Sequence, residues 1–165
     1  MAITKTNFMR GMQCPKMLWL DKHKPSLKVI PPEVQQRLDE GNEFGDKAMA
    51  MFGPYEEMTI YKPSTNYPDT RAMVEKTKEH LKLGTPIICE AAFMDYNNYC
   101  DVDILRKTDS GYDMYEVKDS RKSMISTSKM LHFSITLSKE IRSALARSSS
   151  SFMVKMKIIL LCQSR

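Results

Sequence analysis

Apolar residues recur in two different periods along the first 120 positions, and the changes of period predict helices, a strand, a further helix and then three strands. Thr4 or Thr6 can cap a short first helix, and a second begins near Pro15, burying Met17, Leu18 and Trp19 until Pro25 stops it. After Pro31-Pro32, the segment 33–52 places Val34, Leu38, Gly41, Gly45, Ala48 and Phe52 on one helical face, with charged residues opposite. Gly41 and Gly45 leave two bare places on that face where another backbone can come close. Gly53-Pro54 ends this helix, and Glu-Glu-Met-Thr-Ile-Tyr (56–61) reads as a first strand. A helix over 68–83 turns Met73, Val74, Thr77 and Leu81 inward and closes at Gly84.

From residue 85 the period shortens to two. Ile87, Ile88, Ala91 and Phe93 make a buried strand with Glu90 inside it, where a carboxylate is costly unless it is paired, bound to metal or aimed at solvent. A turn at 95–98 leads into the hairpin 99–120, in which Ile104 and Leu105 on one strand and Tyr115 and Val117 on the other flank the turn Thr108-Asp109-Ser110-Gly111. With the turn centred on Asp109-Ser110, residues whose numbers sum to 219 lie opposite each other, so Asp103 faces Glu116 with Cβ atoms about 5 Å apart. Alternation puts Asp101 with Asp103 on one face and Met114, Glu116 and Lys118 together on the partner strand, so acids and lysine converge.

Two carboxylates plus a substrate phosphate suffice for a hard cation such as Mg²⁺, which takes oxygen ligands and keeps several waters. Such an ion lowers the pKa of water, and a nearby ammonium can meet negative charge developing on a phosphoryl oxygen. The same letters also describe a surface hairpin with a charged outer face.

Composition narrows the classes. Of 165 residues, 42% are apolar and 27% charged, ordinary for one globular domain. No apolar run approaches a membrane span and the start lacks a signal-peptide core, so a cytoplasmic protein with no membrane partner is expected. Cys14, Cys89, Cys100 and Cys162 are too scattered for a zinc ribbon or disulfide framework and read as free thiols, Cys14 as a small buried one. The net charge of +5 divides unevenly: 16 Lys and Arg stand against 19 Asp and Glu in residues 1–120, and 9 against 1 in 121–165. The tail would therefore bind polyanions whatever the rest of the chain does.

The set Asp103, Glu116-Val117-Lys118 resembles the PD-(D/E)XK nuclease superfamily, in particular its RecB-like branch with the CRISPR-adaptation exonucleases. Gln-Cys-Pro-Lys-Met-Leu-Trp-Leu (13–20) is similar to that branch's opening and EGNEFGDKAMAMF (40–52) to its motif-one helix. ICEAAF, DVDIL and YDMYEVKDS resemble the strands of its catalytic meander. The likeness spans about residues 3–120. It implies an α/β, restriction-endonuclease-like core, with helices flanking a mixed sheet that contains an antiparallel meander. It also implies hydrolysis of DNA, single-stranded or duplex, with Mg²⁺ or Mn²⁺: Asp103 and Glu116 as metal ligands, Lys118 as the catalytic lysine and Glu90 as an accessory acid. Many members carry a histidine four residues after a motif-one glycine; here Gly41 is followed by Gly45 instead. Iron-sulfur members use one cysteine before the core and three after it, so no cluster is expected in this chain.

Past Ser120 the sequence changes character: 11 of 45 residues are serine, and Gly, Pro, Asp, Asn, Tyr and Trp are absent. The resemblance calls here for a helix with a pattern like Asp-Val-Ala-Phe-Gln-Tyr-Tyr. One permitted set of codons for Lys129–Thr136 spells that motif when read from the third base of the lysine codon, so a frameshift near residue 120 is one hypothesis. A genuine basic tail with a helix over 138–147 and a strand over 152–161 is the other, and the gene's nucleotide sequence decides between them. The expected division is a nuclease-like part, 1–120, and a Ser-rich tail, 121–165. With the helix missing, an impaired nuclease is expected; the alternative is a catalytically inactive remnant that binds nucleic acid or protein.

Overall fold

The computed structural model describes residues 4–65, 67–95, 98–119 and 153–161, with 5, 95, 118, 119 and 153–161 described by backbone alone. Helix α1 (Lys5–Gln13) begins where Thr4 Oγ1 accepts the Asn7 N–H at 3.2 Å, so Thr4 is the cap. Helix α2 (Pro15–His23) has proline in its first turn, where the missing N–H costs nothing, and gives way to a 3-10 turn over Pro25–Leu27. The two helices pack on each other through Leu18 against Gly11 and the Arg10–Asp21 ion pair. The expected burial of Met17, Leu18 and Trp19 is not met: no residue of α2 is buried, and Trp19 is 53% exposed. Three consecutive apolar residues spread round a helix, and here the Leu18 side is the one that reaches α1. Cys14, at the joint, is likewise exposed rather than buried.

Helix α3 (Pro32–Met49) runs into a 3-10 turn over Ala50–Phe52, and its buried residues, Phe44, Ala48 and Met49, all lie in its C-terminal half. Leu38, expected on the inward face, is 49% exposed. Strand β1 is shorter than predicted, Glu56–Glu57, and pairs in parallel with β2 (Ile87–Asp95) at Glu56↔Ile88. Between them runs helix α4 (Thr70–Leu83), capped by Asp69 and closed by Gly84 at φ +71°. It turns Met73, Val74 and Thr77 inward as the pattern predicts.

Thr77 joins α4 to the sheet. Its buried hydroxyl donates to the Met73 carbonyl at 2.9 Å and accepts the Ala92 N–H at 2.9 Å, on the stretch of β2 beyond the reach of β1. Thr77→Val keeps the shape but strands that N–H, and a loss of about 1–3 kcal/mol in urea unfolding is expected.

Strand β2 continues as a meander through β3 (Asn98–Thr108) and β4 (Gly111–Asp119), all antiparallel, and β5 (Met153–Leu161) lies parallel to β4. The sheet order is β1-β2-β3-β4-β5, an α/β arrangement with a mixed sheet flanked by helices. Ile104↔Tyr115, Leu105↔Met114 and Thr108↔Gly111 each sum to 219, the register set by a turn at Asp109-Ser110. The strand expected over 152–161 is present as β5; residues 120–152, with the possible helix over 138–147 and the stretch Lys129–Thr136, fall outside the described residues.

Two sheet faces are apolar. Ile88, Ala91, Phe93, Cys100, Val102, Leu105, Tyr112 and Met114 form one cluster, with Leu81 of α4 against it. On the other face Ala48 and Met49 of α3 pack with Ile87, Cys89, Ile104 and Tyr115, and Met73 and Val74 of α4 pack with Ala92 and Tyr99. Ile88, Ile104 and Leu105 are wholly buried, each contributing roughly 1.5–3 kcal/mol of apolar burial.

Candidate functional site

The regular alternation of β2 and β3 breaks at one place on each strand, and both breaks fall on acids. Ile88 and Ala91, three residues apart, belong to the same cluster, as do Val102 and Leu105. A strict period of two cannot do this. Glu90 is the one non-glycine residue with positive φ, +53°, among the described residues. Without that strained conformation Glu90 would point with Ile88 into the apolar cluster; with it, Glu90 follows Cys89 to the α3 face. Asp103 does the same beside Ile104. The pairings Cys89↔Ile104 and Ala91↔Val102 leave Glu90 directly across from Asp103.

The β3–β4 pairing runs as far as Ile104↔Tyr115, and the Val117 N–H beyond it donates to Asp103 Oδ2 at 2.6 Å. This short bond fixes one carboxylate oxygen of Asp103 while the group faces a cavity of about 1070 Å³. Glu90, Asp101, Asp103, Glu57 of β1 and Asp46 of α3 all line that cavity, and its described lining contains no Lys, Arg or His. The opposite wall is α3, where Gly41 and Gly45 present bare backbone. The expected close approach of another backbone to these glycines is not found: a Cβ at either would meet nothing within 4 Å. They hold the cavity open. Gly41→Ala with Gly45→Ala is therefore expected to stabilise α3 by about 1–2 kcal/mol in thermal or urea melts, because helix propensity improves and nothing clashes.

Electrostatics record the crowding. Burial, then the charges of Asp101, Asp103, Glu57 and Glu116 in that order, push the Glu90 carboxyl up to about 8. Burial first, then Glu90 and the other acids, pushes the Cys89 thiol up to about 12, so it stays protonated behind the site. Burial, and next Asp101, raises the Tyr99 phenol.

The structure thus gathers Glu90, Asp101 and Asp103 and adds Glu57, which the sequence reading passed over. Glu116 stands one strand over from Asp103, as the 219 register requires, but is not in the cavity lining. No break of alternation occurs on β4, where Met114 packs on the far face while Tyr115 and Val117 pack on the α3 face. The predicted gathering of acids holds for Asp101 and Asp103, and the charge of Glu116 is among those that act on Glu90. Lys118 lies on the β4 backbone opposite Leu160 of β5, its side chain outside the described residues. Among the described residues no three His, Cys, Asp or Glu side chains are close enough together to hold a metal ion by themselves, and no helix is long and apolar enough to cross a membrane. Comparison with family models, with curated proteins and with solved structures finds no match to this chain.

Proposed function

We propose that the chain is a metal-dependent nuclease of PD-(D/E)XK, RecB-like type, with a restriction-endonuclease-like core, acting on DNA phosphodiesters. The observation that carries this reading is a cavity whose described lining holds five carboxylates and no basic side chain, one acid being pushed up to about 8 by burial and its neighbours. Such a site draws in a small hard cation, and an all-oxygen donor set suits Mg²⁺ or Mn²⁺ over softer metals. Mg²⁺ needs only one or two carboxylates when waters and a substrate phosphate complete its shell, so acids spread round a cavity are adequate. When bound, the ion would lower the pKa of water and offset charge on the phosphoryl oxygens.

The chain's own residues supply the rest. Asp103, held from behind by the Val117 N–H, and Glu90 across from it present oxygens to the cavity, with Asp101 beside them. Glu116 keeps the ligand role that the resemblance gives it, one strand from Asp103. Lys118, two residues further along β4, is assigned to meet charge developing on the scissile phosphate. The bare α3 wall leaves room for a sugar-phosphate chain.

With Mn²⁺ the purified chain should degrade DNA, EDTA should stop it, and Lys118→Ala should lower the rate by about 10²-fold. Equal rates for Lys118→Ala and the unmodified chain would remove the lysine from the mechanism. Cleavage that persists in EDTA would remove the metal.

A further inference from the structure

An acidic cavity repels the polyanion it would cut, so the strand must be held by charge placed elsewhere. Residues 4–30 carry six Lys and Arg against one Asp, whereas residues 31–119 carry 10 against 18. The positive segment is the α1–α2 pair with the turn that follows it. Its one acid, Asp21, is already paired with Arg10 on the side that faces α1, next to Leu18. Lys16, Trp19 and His23 fall on the opposite side of α2 by helical spacing. Lys16, Lys22, Lys24 and Lys28 are all exposed. Trp19 stacks on His23 with ring centroids 4.7 Å apart, yet remains 53% exposed, a large flat apolar surface among cations. The pair also adjoins the cavity: Thr4, Thr6 and Asn7 at the start of α1 belong to its lining.

We infer that the exposed surface of α2 and the turn after it binds single-stranded nucleic acid, Lys16, Lys22, Lys24 and Lys28 taking phosphates and Trp19 stacking an unpaired base on the way to the acids. Basic grooves that track a backbone, with aromatic rings for successive bases, are how unpaired strands are held. Paired bases inside a duplex do not offer a face to Trp19. The choice of nucleic acid as the polyanion rests on the proposed nuclease reading; the surface is tested apart from it.

Trp19 is the chain's one tryptophan, so its emission reports on this surface even while the basic tail also binds polyanions. The full chain carrying Asp103→Asn, in EDTA and low salt, is titrated with a fifteen-residue oligothymidylate. Saturable quenching of the emission is expected, together with shielding of Trp19 from acrylamide. The apparent affinity should fall at least tenfold in Lys16→Glu with Lys22→Glu and again between 50 and 200 mM salt. Oligonucleotide binding by anisotropy with unchanged emission and no shielding would overturn the inference, since the strand would then lie elsewhere. So would a blue shift with phosphatidylglycerol vesicles and none of these responses with the oligonucleotide, which would make the face a membrane surface. Quenching in a chain that never cleaves with Mn²⁺ would sink the nuclease reading and leave this one standing; cleavage without quenching would do the reverse.

Discussion

Asp103→Asn is expected to lower Mn²⁺-dependent DNA hydrolysis by about 10³-fold or more, measured as initial rates on a labelled oligonucleotide. The substitution is a clean one. Asparagine keeps an oxygen that can accept the Val117 N–H, so the end of the β3–β4 ladder survives and the fold with it. What disappears is one negative charge facing the cavity, across from Glu90. A rate within tenfold of the unmodified chain, with an unchanged circular dichroism spectrum, would take Asp103 out of the site. Asp103→Ala would be a poorer probe, because it also strands the Val117 N–H and adds about 1–3 kcal/mol of instability.

Glu90→Gln should make the metal-free protein more stable, and by an amount that depends on pH. Burial, then the neighbouring acids, raises this carboxyl from 4.5 to about 8. Between those values the folded chain holds a proton that the unfolded chain has released. Stability therefore falls as pH rises through this window, and the loss is complete above pH 8. Glutamine imitates the protonated form at every pH. Urea unfolding should show a gain on the order of 2–4 kcal/mol at pH 9, shrinking to under about 1 kcal/mol at pH 5. The same gain at both pH values would mean that Glu90 is not held neutral in the fold. Mg²⁺ should close the gap at pH 9 by stabilising the carboxylate form, an effect the glutamine variant lacks.

Much of this architecture is legible in the letters because local signals agree. Thr4, Pro15 and Gly84 punctuate helices where their chemistry dictates, and Asp109-Ser110 sets a register that the sheet keeps. The errors share one cause, which is that periodicity says which residues share a face and not what covers it. Met17-Leu18-Trp19 looks like core, but α2 meets only enough neighbours to half-cover Met17, Leu18 and Leu20 and leaves Trp19 exposed. Leu38 continues an apolar stripe past the buried half of α3. The acids of the site are legible in the sequence, and the local backbone that aims them is not. A strict period of two places Asp103 beside Glu116 but says nothing of the breaks at Glu90 and Asp103, which turn these two acids toward α3. Glu90 inside an apolar run was the available signal for that break, since a carboxylate there must be turned out of the core. The net charge of residues 1–120 hides a positive first thirty and a strongly negative remainder.

The place of β5 bears on biosynthesis. Its first residue, Met153, leaves the ribosome 34 positions after Asp119 closes β4. At about 5–20 residues per second the nascent meander waits roughly 2–7 s with the outer rim of β4 unmatched. Rims of that kind recruit copies from neighbouring chains. Slower growth at low temperature, with fewer nascent chains per unit volume, is therefore the condition under which soluble yield should be highest.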